Sequence, residues 1–297
     1  MIDFLGIGAQ KSGTTWLYRH LSLHPQIVFP GGKECHFWDL ITPEDSHRWL
    51  SIFNHNDNQY CLSIPVKAGE ITPSYSLLKH DTIKSIRACA PRLLLFISLR
   101  NPIERAWSAA CMDLCRCQIS HEEAGDAWFL DHIKSGPSRH RGDYEAIIKC
   151  WLSVFPKEQL YILFFDDIIK DPHCLLRKLA VFLGVDPNLY PPDENLSMPV
   201  LPALDPSLQQ LQARLSRPSL AKHPRVLETL HELYDHKITM LQNFLGMPLN
   251  HWIPNEFTDP YPACRDASEV GVGGPGFAMV RQLIAEKQSG WSTTSHA

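Results

Sequence analysis

Short apolar blocks alternate with longer segments of mixed apolar and polar residues. Phe4 to Ile7, Gln26 to Pro30, Val66 to Ile71, Leu93 to Leu99 and Leu160 to Phe165 read as strands. Strands covered on both faces show continuous apolar runs rather than strict alternation. Between them, helical spacing runs over Thr14–His24, Pro43–Phe53, Asp81–Ala90, Tyr144–Phe155, Pro172–Leu183 and Pro224–Leu245. Asp81 is read as a helix N-cap, and Pro102 sits in the first turn of a helix after the Leu93–Leu99 strand. Gly184 and Gly246 are read as helix stops. Residues 116–143 are polar, with Gly125, Gly136, Pro137 and Gly142, and read as irregular helix-and-loop lid material. Residues 186–206 are proline-rich and extended, and Phe277–Lys287 carries a short helical pattern inside a Gly/Ser/Thr-rich tail. Strands alternating with helices predict an α/β fold, a central parallel β-sheet flanked by helices.

Composition narrows this picture. A chain of 297 residues, 44% of them hydrophobic, can bury a large core. The net charge of −4 gives no global basic field for nucleic acid or an anionic membrane, so neither is expected as a partner. The 9 cysteines are an odd number without a C-x-x-C pair, which reads as free thiols in a reducing compartment, and no metal site is expected. The first ten residues lack the basic and apolar regions of a signal peptide, and no apolar run approaches the roughly 20 residues of a membrane span.

The chemistry concentrates at the first strand–helix junction. Gly8, Gly13, Ser12, Thr14, Thr15 and Lys11 fall between the first strand and the first helix. A helix N-terminus offers N–H groups without intrahelical partners and the positive end of the dipole, so this junction is an anion cradle. Its glycine spacing is that of a nucleotide-binding P-loop. A Walker motif, however, reads G-x-x-x-x-G-K-S/T. Here Thr14 follows Gly13, and the lysine lies inside the loop at Lys11. A single phosphate bearing a small group fits such a loop better than a triphosphate with magnesium.

Gln10-Lys11-Ser12-Gly13-Thr14-Thr15-Trp16 resembles the 5′-phosphosulfate loop of sulfotransferases, whose donor is 3′-phosphoadenosine 5′-phosphosulfate (PAPS) and whose product is PAP. Downstream, Arg100-Asn101-Pro102-Ile103-Glu104-Arg105-Ala106-Trp107-Ser108 is similar to the family's 3′-phosphate motif, R-x-P-x-x-R-x-x-S. Lys33-Glu34-Cys35-His36-Phe37 is similar to the K-E-x-H-F segment of heparan-sulfate-type and related bacterial sulfotransferases. The resemblance implies a P-loop-containing nucleotide-binding fold over residues 2–252, with 253–297 as a partly flexible C-terminal extension.

It also implies roles. Lys11 stabilises the leaving phosphate, and Ser12, Gly13, Thr14 and Thr15 hold the 5′-phosphate. Trp16 offers a flat face to the adenine, while Arg100 and Ser108 clamp the 3′-phosphate. Glu34 or His36 is the general base, and in an extended loop residues two apart would share a face. A base poised near neutral pH requires a buried Glu34, whereas His36 needs little tuning. Arg105 reads equally as a helix-surface charge, and Asp39 as an assistant.

Two departures stand out. Heparan-type enzymes carry E-K-T-P-x-Y after the second strand, where this chain has Glu70-Ile71-Thr72-Pro73-Ser74-Tyr75. The late K-G-R loop is absent, and Lys222 is its candidate substitute. The expected reaction is therefore sulfuryl transfer to a hydroxyl or amine of a small-molecule or carbohydrate acceptor, with residues 37–60, 110–143 and 190–222 setting specificity. The missing anchor, compared with Golgi members, predicts a cytoplasmic chain. A P-loop kinase or NTPase, and a non-catalytic nucleotide-binding scaffold, remain the competing readings.

Overall fold

The structure is a computed structural model and describes residues 1–40, 45–54, 66–190 and 220–253. The expected extended segment from 191 on and the tail pattern Phe277–Lys287 lie outside those residues. The described chain forms two compact units, one of residues 1–98 with 150–190 and the other of 99–149 with 220–253.

The first unit is built on a five-stranded sheet of β1 (Phe4–Gly8), β2 (Ile27–Val28), β3 (Lys67–Ile71), β4 (Leu94–Leu99) and β5 (Leu160–Phe164), in the order β2-β3-β1-β4-β5. β1 pairs in parallel with β3 and β4, and β2 in parallel with β3, as expected from alternating strands and helices. The central strand β1 is buried throughout, with Phe4, Leu5 and Ile7 fully enclosed. Parallel crossovers put helices on the sheet faces, which is why this strand reads as an unbroken apolar run. The helices are α1 (Thr14–Leu21), α2 (Phe37–Leu40), α3 (Ser46–Ile52) and α4 (His80–Cys89).

After the last strand come α9 (Phe165–Lys170) and α10 (Pro172–Leu183). α9 was not predicted, because its first residue continues the apolar run of β5. α10 agrees with its sequence limits, with the Asp171 side chain accepting from Cys174 N–H at 2.9 Å. Asp81 is not the N-cap of α4. Lys79 holds that place, and Asp81 sits one residue inside the helix, where a carboxylate still meets the positive end of the dipole.

The second unit is helical: α5 (Pro102–Arg116), α6 (His121–Lys134), α7 (Gly136–Arg141), the start of α8 (Tyr144–Leu152), and α11 (Pro224–Leu245). α5, α6, α7 and α11 pack on one another, around Trp107, Phe129 and the ring of His223. Residues 116–143 are helix and loop as expected but less irregular, since most of the segment is α6 and α7. Ser120 and Glu123 cap α6 reciprocally, an S-x-x-E box that stops α6 unravelling at its start. α11 matches its sequence limits and ends at Gly246, whose φ of 66° suits the left-handed stop after a helix.

Candidate active site

In the first unit, β1 delivers the chain into the turn Ala9–Gly13, and α1 begins at Thr14. The first intrahelical bond is from Leu17 N–H to the Gly13 carbonyl, so the N–H groups before it aim out of the helix end. Gly13 has φ 82°, and a Cβ there would come within 2.6 Å of Ile168 and 2.9 Å of Phe165, both on α9. The turn is pinned beneath by Ala9 N–H donating to the Ser98 carbonyl (2.9 Å) and Ser98 Oγ–H to the Ser12 carbonyl (2.6 Å). Ser12 Oγ is buried with no protein partner. Thr14 is buried and Thr15 half-buried at the helix start. Trp16 is buried, with one ring face stacked on His20 at 4.1 Å.

The second cluster lies in the same unit, on the loop before α2. Lys33 forms an ion pair with Glu34 Oε1. His36 Nε2 lies 3.4 Å from Glu34 Oε2, and His36 Nδ1 lies 2.8 Å from Asp39 Oδ2. The loop is not extended, as its sequence suggested. Glu34 (φ 62°) and His36 (φ 56°) are left-handed, and this bend brings their side chains together. Burial alone would raise the Glu34 carboxyl, but the hydrogen bond to His36 and the Lys33 ammonium outweigh it and hold it at about 2. Burial would likewise lower His36, but its hydrogen bonds to Asp39 and Glu34 raise it to about 9. Neither group is poised near neutrality: the carboxylate is ionised and the imidazole protonated.

Among the described residues, four that are not glycine have positive φ: Lys11, Glu34, His36 and Gln118. Such a conformation costs a non-glycine residue roughly 1–3 kcal/mol and persists where its surroundings enforce it. Three of the four are the candidate catalytic residues.

In the second unit, Arg100 precedes α5 and is almost fully buried. Its Nε and Nη2 reach Glu104 Oε2, both at 3.0 Å. Its backbone is fixed by Tyr144, whose hydroxyl donates to the Arg100 carbonyl at 2.7 Å. Asn101 caps α5 by accepting from Ile103 N–H and donates to the Trp252 carbonyl (2.9 Å). Ser108 lies buried two turns into α5. Arg105 is no surface charge: it is wholly enclosed, and Nη2 donates to the Ser138 carbonyl at 3.0 Å. Lys222 ends a short 3-10 turn and is exposed.

Sequence reasoning passed over Lys33 as a partner of Glu34 and gave Asp39 only a minor part. The i to i+3 spacing of His36 and Asp39 was the available signal, because α2 starts between them.

Comparison with known proteins agrees with these motifs. Residues 2–200 match the model of the sulfotransferase domain. Human bifunctional heparan sulfate N-deacetylase/N-sulfotransferase 3 is 26% identical over 85% of the chain, which spans 31% of that protein. Rat carbohydrate sulfotransferase 15 is 24% identical over 62% of the chain, which spans 44% of its length. The chain thus covers less than half of these relatives. The crystal structure of a sulfotransferase from Alicyclobacillus acidocaldarius superimposes with a TM-score of 0.57 at 26% identity, covering 86% of this chain and 99% of that one. The kinase and NTPase readings of the first loop give way to these matches, and the chain belongs to the sulfotransferase family.

Proposed function

We propose that this protein transfers a sulfuryl group from PAPS to a hydroxyl or amine of a small-molecule or carbohydrate acceptor, with Glu34 as the general base. The observation that carries this reading is the backbone strain shared by Lys11, Glu34 and His36, which are three of the four left-handed non-glycine residues among those described. The donor supplies the sulfuryl group and a phosphate leaving group. Lys11, Ser12, Gly13, Thr14 and Thr15 bind its 5′-phosphosulfate, and the buried, unpartnered Ser12 Oγ suits that anion. Arg100 and Ser108 bind the 3′-phosphate, for which Arg100 must share its guanidinium with Glu104. Trp16 receives the adenine on the face not taken by His20.

Glu34 is ionised and takes the acceptor proton. His36, held protonated near 9, has no lone pair for that proton and instead steadies the carboxylate. A carboxyl at about 2 is a weak base, and the Lys33 ammonium is one of the groups that make it so. An acceptor hydroxyl that displaces Lys33 from Oε1 meets a stronger base. Carbohydrate-directed relatives support a carbohydrate or small acceptor.

A thermal-shift panel tests the reading. Adenosine 3′,5′-bisphosphate without added metal should raise Tm by several degrees and adenosine 5′-monophosphate by much less, because binding to the native state alone stabilises it. Incubation with PAPS and pooled glycans or metabolites should then yield products heavier by one SO₃ in mass spectra. Equal shifts for both nucleotides, or no sulfated product, would reject the proposal.

A further inference from the structure

The loop from Lys33 to Asp39 holds two left-handed residues, and its backbone is tied to β3 and the turn that follows. Glu34 N–H donates to the Ile71 carbonyl at 3.1 Å. The backbone N–H and thiol of Cys35 hydrogen-bond the Glu70 carboxylate. Phe37 N–H and Trp38 N–H both reach the Tyr75 hydroxyl, at 2.9 and 3.4 Å. That hydroxyl spends its own proton on Glu70, 3.4 Å from each oxygen. Trp49 Nε1–H (2.7 Å) and Thr72 Oγ–H (2.8 Å) complete the set. Glu70, Cys35 and Tyr75 are all 0% exposed.

Burial pushes the Glu70 carboxyl up, against the donors from Trp49 and Thr72. Tryptophan can only donate, and the tyrosine hydroxyl already accepts twice, so these contacts suit an anion. A buried carboxylate with no cation among these contacts is an expensive way to fill a core. What it gains is a rigid set of acceptors beneath three N–H groups of the strained loop, that of Cys35 directly and those of Phe37 and Trp38 through the Tyr75 hydroxyl.

We infer that Glu70 is a positioning residue: through Cys35 and Tyr75 it holds the 33–39 loop in the bend that brings Glu34 against His36 and Lys33. The inference rests on the reading of Glu34 as the base, but part of its test does not.

Tyr75→Phe removes one hydroxyl and leaves every charge in place, including Lys33, Glu34, Asp39 and Glu70 around His36. The His36 imidazole is followed by proton–carbon NMR, assigned by its loss in His36→Ala. Its midpoint, about 9 in the wild type, should fall by at least about one pH unit toward the ordinary imidazole value of roughly 6.5. Turnover at saturating donor should fall about tenfold or more, while affinity for adenosine 3′,5′-bisphosphate stays within about twofold, the pattern of a lost transition-state arrangement.

Glu70→Gln, which turns an amide N–H₂ toward donors, should reproduce both changes if the tyrosine variant is poorly folded. A lower Tm with the His36 midpoint unmoved in the folded variants would reduce Glu70 to packing and overturn the inference. A wild type that sulfates nothing, but whose His36 midpoint falls in the variants, would refute the proposed reaction and leave the positioning role standing.

Discussion

At the residue scale, Glu34 and His36 divide one task. Glu34→Gln keeps the shape of the side chain and removes the proton acceptor, so turnover should fall about 10²–10⁴-fold with donor affinity unchanged. His36→Ala should cost less, since it removes only a supporting hydrogen bond. Steady-state kinetics with a confirmed acceptor decides the order, and a larger loss for His36→Ala would reassign the base. The identity of these residues was legible in the K-E-C-H-F string. Their geometry was not, because neither position is a glycine and nothing local announces two left-handed residues two positions apart. The bend is imposed by Glu70 and Tyr75, which are distant in sequence, and Lys33 becomes a partner of Glu34 only once the bend is made.

At the element scale, the cradle depends on a helix that the sequence concealed. Gly13 is closed in by Ile168 and Phe165 of α9, so Gly13→Ala meets both a left-handed φ and a clash at 2.6 Å. Roughly 1–3 kcal/mol of stability should be lost, and affinity for adenosine 3′,5′-bisphosphate should fall with it. Urea denaturation and calorimetric titration measure the two, and a variant with both unchanged would separate α9 from the loop. Legibility among the helices followed their punctuation. α10 and α11 each open with proline and close on glycine, so both were read to the residue. α6 was missed because Gly125 (φ 58°) kinks it and blurs any single apolar face. β2 shrank to Ile27–Val28, since a strand at the sheet edge lacks a neighbour on one side to extend it.

At the scale of the whole molecule, the strained loop should leave a mark on stability. Glu34 lies below its ordinary 4.5 in the folded state, so its contribution is present above 4.5 and is lost as pH falls toward 2. His36 lies above its ordinary 6.5, so its contribution is complete below 6.5 and is lost as pH rises through 9. Both contribute fully only between these ordinary values. The difference in Tm between wild type and Glu34→Gln should therefore be widest near pH 4.5–6.5 and narrow on either side. Scanning fluorimetry across pH measures it, and a difference independent of pH would contradict the ion-pair geometry.

The sheet order has a further consequence, for how the chain is made. β4 lies between β1 and β5, yet about sixty residues, most of them of the helical unit, separate Leu99 from Leu160. A ribosome adding about 5–20 residues per second takes roughly 3–12 s to cover that distance. For that interval the emerging chain displays the LLFISL strand with one flank unpaired, the kind of edge that recruits other strands. Between translation of Leu99 and arrival of β5, the nascent protein is at its most vulnerable to aggregation, and slow decoding of the helical insert would prolong that exposure.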